Sequence, residues 1–585
     1  MKKGGHIKHL AEAILIFYWM LCLLRADSYY APYLLVALAG IYCRIVRCVK
    51  HTGAEDGMTK GERWLTRVCA AAFSLTVTVA NYRLYSYFDG TKLENLGKIV
   101  VGITLLLGGY ILFHEILCGL YRHTDAVTVK TAERKLTPWL WVGMWVLIVA
   151  VDCFVLFAAE YPGVLTPDSI SQMTQLLSGV YSNHHPYYHT QIIRACILAG
   201  LALFDDLNAA VALYSVFSVM VMATCFVYTV ATIDTVTGRR KITIAVFIWY
   251  LIMPFHIIYS ISMWKDVFFG ASMAGFVVSL YRCMNHIGQK TPNCIVLGIT
   301  GLCVCLLRSN GWIAFIASTV VFLILFRAEY RKILFLFVGI LAASFILKHP
   351  VLKALNVTQP DTIEALSVPA QQIARVVADE KELTAEQEEL LSQVIDVEQI
   401  AEKYDSTISD PIKILVRQKG NQEYITSHKG EFLRLYLQLF LKYPQTYIKA
   451  WADQTRGYWN AGYGYWRWET SLTENDLGLE QTVNSTRARG IFKLYLREWE
   501  NNPLLQVFLS IGLHVWIVAL ACYHAIIKKN KIGAFIAVPF LAVIATLMIA
   551  TPVYSEFRYA YSVFCGFPFV VAAAFFRPAA GKKEN

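Results

Sequence analysis

One polar segment of the chain carries residue types suited to acid–base and anion chemistry: YPGVLTPDSISQMTQLLSGVYSNHHPYYHT, residues 161–190. It lies between two apolar stretches and holds a carboxylate, Asp168, with an amide, Gln172, one helical turn later. Three imidazoles follow, at His184, His185 and His189. A carboxylate can accept a proton from a hydroxyl group, and imidazoles can hydrogen-bond an anion or a hydroxyl. The segment therefore predicts a site for a polar substrate.

Further polar residues lie at the ends of apolar stretches far along the sequence: Lys265, Arg308, Asn310, Glu556 and Arg558. Cations at such positions can stabilise a departing phosphate, and a carboxylate can act as the base. This combination suits transfer of a glycosyl group from a lipid-linked phosphate. Each residue alone has a simpler interpretation. An acid favours a helix's first turn, basic side chains reach lipid headgroups, and neighbouring Asp266 or Glu556 can form local ion pairs.

The histidines also raise the question of metal binding, because His185 and His189 are four residues apart. Pro186 predicts a helix start between them, which places His185 at the cap, and no HExxH pattern occurs. The fourteen cysteines lie in or beside apolar segments without CxxC pairs. We therefore rank hydrogen bonding or anion binding above metal binding. No metal ligand is assigned, and a divalent metal stays open as a cofactor.

Composition indicates a protein embedded in the lipid bilayer, since 56% of the 585 residues are hydrophobic and only 16% are charged. Apolar runs of sufficient length predict about 14 membrane spans, among them spans near 10–25, 30–46, 64–81 and 503–526. The net charge of +11 fits basic cytoplasmic loops and does not require nucleic acid as a partner.

The basic loops also predict the orientation. The N-terminus reads as a retained signal-anchor. If residues 191–204 lie in the outer interface rather than span, the basic loops at 238–241, 327–332 and 528–531 all fall in the cytoplasm. The chain is then a multi-pass protein of the cell (plasma) membrane with both termini cytoplasmic. All the polar segments named above share the extracytoplasmic face.

The predicted fold class is all-α: a polytopic membrane helix bundle with a mainly helical outer insertion. Four parts are expected: N-terminal accessory spans (1–137), a membrane module (138–348) with an outer loop (160–208), an extracytoplasmic helical region (349–502), and C-terminal spans with a short cytoplasmic tail (503–585). Within the insertion, Thr384 and Asp410 are predicted as helix caps. In the outer loop, Thr166 is predicted to cap a helix whose first turn holds Pro167 and Asp168 and which ends at Gly179.

Six motifs, taken as a set, resemble the GT-C superfamily of multi-span glycosyltransferases, and more closely a bacterial group of GT-C-like membrane proteins of unknown function. They are PGVLTPDSISQ, NHHPYYHT, WKDVFF, LRSNG, SVPAQQIARV and EFRYAY. The resemblance implies a GT-C-like module that takes a sugar from a polyprenyl-phosphate donor, with Asp168 at the position of the key outer-loop acid. Ser169 follows Asp168 where such enzymes often carry a second acid, and the outer domain precedes the last three spans. Both departures leave the acceptor class and metal dependence open.

The leading hypothesis is an inverting membrane glycosyltransferase whose acceptor hydroxyl belongs to an envelope glycan, lipid or protein. Asp168 is the predicted base. The substrate-binding candidates are Lys265, Arg308 and Arg558 on the phosphate, and Gln172, His184, His185, His189, Asn310 and Glu556 around them.

Two alternatives remain beside this hypothesis. One is a transporter or flippase of lipid-linked sugars, for which His114, Glu115 and Asp152 are intramembrane candidates. The other is a non-catalytic scaffold that binds envelope polymers.

Overall fold

The computed structural model describes residues 10–17, 19–20, 55–87, 90–125, 127–129, 138–461 and 467–578. The predicted span near 30–46 lies outside these residues, and the one near 10–25 is helical at 10–17 and 19–20. The described chain is almost entirely helical, which confirms the all-α class. Its two short strands, β1 (Val127–Val129) and β2 (Phe576–Pro578), pair in parallel, with Val127 opposite Phe576.

The first half of the described chain forms the larger part of the helix bundle. Its helices are α1 (Lys60–Ala80), α2 (Lys92–His123), α3 (Pro138–Ala159), α4 (Pro167–Ser178), α5 (Tyr187–Phe204), α6 (Leu207–Thr237), α7 (Arg240–Ile252), α8 (Pro254–Ser260), α9 (Lys265–Met284), α10 (Lys290–Leu307), α11 (Ser309–Phe326) and α12 (Arg331–Ile346). A 3₁₀ turn (Tyr82–Leu84) follows α1. A π-helical turn (Leu347–Val351) and the short α13 (Leu352–Ala354) extend α12.

The second half contains the insertion and the last bundle helices. After a 3₁₀ turn (Thr362–Leu366) come α14 (Ser367–Ala378), α15 (Ala385–Ser392), α16 (Val397–Lys403), α17 (Asp410–Lys419), α18 (Gln422–Ser427), α19 (Lys429–Lys442), α20 (Pro444–Trp459), α21 (Thr486–Asn501) and α22 (Pro503–Gln506). The chain ends with α23 (Ile511–Ile527), α24 (Lys531–Ala550) and α25 (Tyr561–Phe575), with 3₁₀ turns at Val507–Leu509 and Phe557–Ala560.

Within the described residues, nine helical segments are long and apolar enough to cross a membrane. They contain α2, α3, α6, α9, α10, α11, α12 with α13, α24 and α25. A tenth arises if α7 and α8, bent by 57° relative to each other, form one span. These segments support a multi-pass membrane protein, whereas the predicted count of about 14 is not confirmed. Two further predicted spans are not among the nine described segments. Helix α1 was predicted as a span but carries Lys60, Glu62, Arg63 and Arg67. Helix α23 was predicted as part of a span but has only 17 residues.

Helix α9 lies at the centre of the bundle, where it packs against α6, α10, α24 and α25. Because neighbours cover α9 on several sides, 83% of its apolar 18-residue stretch is buried inside the protein, against 33% for the corresponding stretch of α3. Its N-terminal residue, Lys265, is therefore held at a fixed position on the bundle. This central placement is what allows α9 to position charged groups at one end of the bundle.

The insertion has an apolar core of its own, which includes Ile363, Val376, Leu391 and Leu439. As predicted, Thr384 begins α15: its hydroxyl accepts the N–H of Gln387 at 3.3 Å, and the Gln387 side chain accepts the N–H of Thr384 at 3.1 Å. Ser409, rather than the predicted Asp410, is the cap of α17. The shift is one residue, because Asp410 already has helical geometry.

Helix α20 connects this insertion to the bundle. Trp451 donates its indole N–H to the carbonyl of Met548 in α24 at 2.8 Å, and Gln454 donates to the carbonyl of Thr551 at 2.8 Å. The insertion is therefore fixed directly on the bundle helices.

Candidate functional site

The segment before α4 is fixed by backbone hydrogen bonds on two sides. Val164 donates to the carbonyl of Ile261 at 3.0 Å and accepts from the N–H of Met263 at 3.0 Å. On the other side, the N–H of Thr473 donates to the carbonyl of Leu165 at 2.8 Å. These bonds hold residues 161–165 between the α8–α9 connection and the segment that follows α20. The start of α4 is consequently fixed in the fold.

Helix α4 has the predicted bounds, since it begins after Thr166 and ends at Gly179, whose φ of +68° is readily adopted by glycine. Thr166 is the N-cap residue, as predicted. The hydroxyl of Thr166 accepts the indole N–H of Trp264 at 2.7 Å, and Ser169 accepts the N–H of Thr166 at 3.2 Å. Ser169 in turn donates to the carbonyl of Met263 at 2.9 Å. Side chains from α4 thus dock on the residues just before α9.

Asp168, in the first turn of α4, contacts cationic and imidazole groups from three other segments. Its Oδ2 lies 2.7 Å from Nη1 of Arg558, 3.5 Å from Nζ of Lys265 and 3.9 Å from Nδ1 of His185. The Asp168 side chain is 29% exposed, whereas the three partners are more deeply buried. We call these four residues the Asp168 cluster.

The environment fixes the charge state of the two members that lie outside the spans. Burial opposes ionisation of Asp168, but Lys265 and Arg558 outweigh that effect and hold the pKa of the carboxyl well below its usual value. Burial, reinforced by the charge of Lys265, lowers the pKa of His185 to about 3. His185 is then neutral at pH 7, and its Nδ1 can accept the hydrogen bond that Lys265 donates at 3.2 Å. The cluster therefore combines one carboxylate, two cations and a neutral imidazole.

Arg558 bridges two carboxylates. Its Nη1 donates to Asp168, and its Nε donates to Oε1 of Glu556 at 2.8 Å. Its guanidinium also lies over the rings of Trp264 and Tyr559, 5.5 and 5.3 Å from their centroids. No second acid directly follows Asp168 in the sequence. The fold instead brings Glu556, from near the C-terminal end, to Arg558, the arginine that binds Asp168.

Arg308 lies next to this cluster but does not contact Asp168. It forms an ion pair with Asp266, which is fully buried, and its Nε donates to Oδ1 of Asn310 at 3.1 Å. Its guanidinium lies 4.6 Å from the centroid of the Tyr559 ring, the same ring that Arg558 contacts. Arg308 and Asn310 are thus neighbours of the cluster through Tyr559.

The remaining predicted residues differ in their access to a substrate. Gln172 and His189 are fully buried and bind each other at 3.1 Å. Gln172 also donates to Thr190 at 2.8 Å, and His189 Nε2 lies 2.8 Å from the hydroxyl of Tyr214. These bonds satisfy Gln172 and His189 within the protein, so we assign them to positioning α4 against α5 and α6.

The three imidazoles follow the helix start at Pro186. His189 lies on α5, which begins at Tyr187 with Pro186 as its cap, so His185 falls just before the helix rather than at its cap. His184 is exposed and contacts the ring of His185 edge-on at 4.8 Å. Of the three predicted histidines, only His185 contacts the carboxylate and the lysine directly.

The residues do not fit a resident divalent metal. No group of three His, Cys, Asp or Glu side chains in the described part of the chain could hold one. Near Asp168, the positive charges of Lys265 and Arg558 would repel a divalent cation.

Sequence reasoning missed Lys348, which lies in the π-helical turn after α12. Its Nζ donates to the carbonyl of Cys305 at 3.3 Å, three residues before Arg308. The preceding carbonyl, of Leu347, accepts the hydroxyl of Tyr188 at 2.8 Å, close to the histidine segment. Among the described residues, Lys348 forms no ion pair with a carboxylate. A π-helical turn within an apolar helix is a functional signal in a structure but has no reliable sequence signature.

Glu160 was also missed. It is fully buried at the end of α3, accepts a hydrogen bond from Gln481 at 2.6 Å, and lies 3.8 Å from Arg489. Burial raises its pKa to about 7 despite the opposing charge of Arg489. An acid directly after an apolar span was the available signal.

The fold and its long apolar helices define an all-α, multi-pass membrane protein. Residues 176–584 match a family described as a family of unknown function (DUF6020), and the chain belongs to that family. The chain matches no curated protein and no solved structure.

Proposed function

We propose that the protein is a GT-C-type membrane glycosyltransferase that moves a sugar from a polyprenyl-phosphate donor to an acceptor hydroxyl, with inversion. The observation that carries the proposal is the Asp168 cluster, in which a partly exposed carboxylate contacts two cations delivered from distant helices. The cations that bind the donor phosphate in this proposal, and the carboxylate that accepts the proton, therefore belong to one hydrogen-bonded cluster.

The low pKa of Asp168 determines how such a reaction would proceed. A carboxylate held by two cations is ionised but is a weak base. A donor phosphate competes for Lys265 and Arg558, and the loss of these contacts raises the basicity of Asp168. The acceptor O–H proton then passes to Asp168 while the acceptor oxygen bonds to the anomeric carbon. The bond from that carbon to the phosphate oxygen breaks, and the lipid phosphate leaves with the electron pair, stabilised by the two cations.

The orientation of the protein in the membrane and its number of spans belong to the same proposal. We place the Asp168 cluster at the extracytoplasmic face of the plasma membrane, with both termini cytoplasmic and about 14 spans. The support is the distribution of basic residues. The basic loops at 238–241, 327–332 and 528–531 all lie at the helix ends opposite to those that carry the Asp168 cluster. The acceptor is then an envelope glycan, lipid or protein.

Asp168→Asn is the direct test. In membrane vesicles with radiolabelled polyprenyl-phosphate sugars, we expect sugar transfer to fall by about 10²- to 10⁴-fold, the usual contribution of a general base. The matched control is Asp205→Asn, because Asp205 is an exposed acid in the same outer loop whose φ of +50° asparagine tolerates. Full transfer by Asp168→Asn, at equal expression, would refute the proposal.

One feature favours a second candidate, a transporter of lipid-linked sugars. Helices α7 and α8 are bent by 57° at their junction, and the fully buried Asp152 accepts a hydrogen bond from Ser260 in α8 at 2.8 Å. Broken helices and buried intramembrane acids are typical of transporters. A transporter moves labelled lipid across vesicles without changing its headgroup, which chromatography of the lipid distinguishes from transfer.

A further inference from the structure

The core of the insertion contains a cavity remote in sequence from the Asp168 cluster. Its volume is about 460 Å³, within the range of small-molecule sites, and α14, α15, α17 and α19 contribute to its wall. Only three lining side chains carry a polar atom: Thr362, Lys429 and Tyr436. The Tyr436 hydroxyl already donates to Gln372 at 2.7 Å. The wall of the cavity is therefore almost entirely hydrocarbon.

The cavity opens beside α19. Lys429 and Leu433 both line it, yet Lys429 is exposed and Leu433 is 60% exposed. From Leu433 an apolar stripe continues along the outside of α19 through Leu437 and Leu441, at the helical spacing of four residues. The stripe and the cavity thus form one continuous apolar surface.

The helix that follows the stripe packs on the bundle. Helix α19 ends at Lys442, and α20 follows after one residue and packs on α23 and α24. Ile448 of α20 is a further exposed apolar side chain, at 47%. The stripe therefore lies on a helix that is joined directly to one of the bundle's packing partners.

The charges at the mouth favour an anionic group. Lys429 forms no ion pair with any carboxylate among the residues that the structure describes. Lys429 is the one charged side chain among the described residues that line the cavity, and Glu431 follows two residues later on the same helix. The mouth of the cavity therefore offers a lysine amine without a carboxylate partner in the described part of the chain, beside an apolar interior.

We propose that this cavity binds the hydrocarbon chain of an anionic lipid, which reaches it from the bilayer along α19 and places its headgroup beside Lys429. A hydrocarbon chain needs no hydrogen-bond partners. A bound peptide would bury backbone N–H and C=O groups against a wall that offers almost none, at considerable cost. This lipid site does not rest on the transfer reaction at Asp168.

Photolabelling of the full chain in phosphatidylcholine nanodiscs tests the site. The probes are a long-chain alkyl phosphate with a diazirine on its chain, the corresponding alkyl alcohol, and an apolar peptide that carries a photoreactive leucine. We expect saturable labelling of α14 and α19 by the alkyl phosphate. Labelling confined to the bundle helices, or labelling of the cavity by the peptide alone, would overturn the proposal.

Three variants separate the cavity, its mouth and the headgroup contact. Ala370→Phe fills the cavity and should reduce labelling about tenfold without lowering the melting temperature, since it fills rather than creates a void. Leu433→Gln, on the exposed rim, should weaken labelling without affecting the core. Lys429→Gln should weaken binding of the phosphate probe about fivefold relative to the alcohol.

Ile491→Gln is the matched control for the rim variant, because Ile491 is 61% exposed but lies on α21, away from the stripe. Labelling that Ala370→Phe and Leu433→Gln leave unchanged excludes the cavity as the binding site. Equal effects of Leu433→Gln and Ile491→Gln would show general loss of surface hydrophobicity and would also contradict the proposal.

Discussion

Two aspartates, Asp168 and Asp453, each gather charged groups from distant segments, but they differ in their contact with solvent. The Asp168 side chain is 29% exposed, whereas the Asp453 side chain is completely buried. Asp453, in α20, accepts hydrogen bonds from Tyr82 at 2.6 Å, Arg83 at 2.9 Å and Arg375 at 3.1 Å, and Arg456 lies 3.1 Å away. We call this second group the Asp453 cluster.

The segments that the two clusters join explain the difference. The Asp453 cluster connects the turn after α1, α14 of the insertion and α20, so it fixes the insertion on the N-terminal helices. In the Asp168 cluster an anionic ligand can replace the carboxylate as the partner of Lys265 or Arg558, because solvent reaches this group. Similar residue types thus fix the insertion in the Asp453 cluster, whereas in the Asp168 cluster they can exchange partners with a ligand.

The largest expected effect is on stability. Asp453→Ala removes the fully buried carboxylate that Arg83, Arg375 and Arg456 share, although Arg375 keeps the more exposed Asp379, and should lower the free energy of unfolding by about 3–5 kcal/mol. Asp168→Asn should cost less than Asp453→Ala, because Arg558 keeps Glu556 as a partner and solvent reaches the Asp168 side chain. Thermal melts of both variants in the same detergent measure the difference.

The comparison fails if the two variants lose similar stability. It also fails if Asp453→Ala folds normally but loses sugar transfer as completely as Asp168→Asn. The first result would make the Asp168 cluster structural, and the second would place Asp453 in the reaction.

A smaller effect is expected at Lys348, which forms no ion pair with a carboxylate among the described residues. Because no acid competes for it, we expect it to bind donor phosphate in the ground state and transition state alike. Lys348→Gln should raise KM about tenfold with kcat unchanged, which is the signature of uniform binding. Lys353→Gln, an exposed lysine in the same segment, is the control. An unchanged KM, or an equal effect of both variants, would remove Lys348 from the site.

Local signals predicted the helices around the site well. Thr166, Pro167 and Gly179 fixed the bounds of α4 because caps, proline at the first turn and glycine at the end act within a few residues. The apolar helices then determined which loop ends could meet, and Lys265 and Arg558 do contact Asp168. The span count of about 14 stays unconfirmed, since α1, for example, combines apolar residues with the charged Lys60, Glu62, Arg63 and Arg67.

Long-range partners were beyond such reasoning. The indole that binds Thr166 comes from Trp264, and the arginines of the Asp453 cluster come from three separate segments. Neither is encoded by spacing along the chain. In the sequence Lys348 only follows an apolar run, and the fold alone shows that it forms no ion pair with a carboxylate among the described residues. The resemblance to glycosyltransferases stays a prediction, since the family match carries no function.

The last expected effect is a pH slope of stability from His189, a buried group that is neutral rather than charged. Burial lowers its pKa to about 3, from about 6.5 in the unfolded chain. Between these values the unfolded chain binds more protons, so stability rises with pH and is lost on acidification, by up to about 1.4 kcal/mol per pH unit. His189→Gln should flatten this slope between pH 4 and about 6.5 in thermal melts. Thr190→Val removes a hydrogen bond from the same network without a titrating group, so it should lower stability and leave the slope unchanged. Parallel slopes for wild type and His189→Gln would show that His189 does not contribute, and would limit the comparison to the two aspartate clusters.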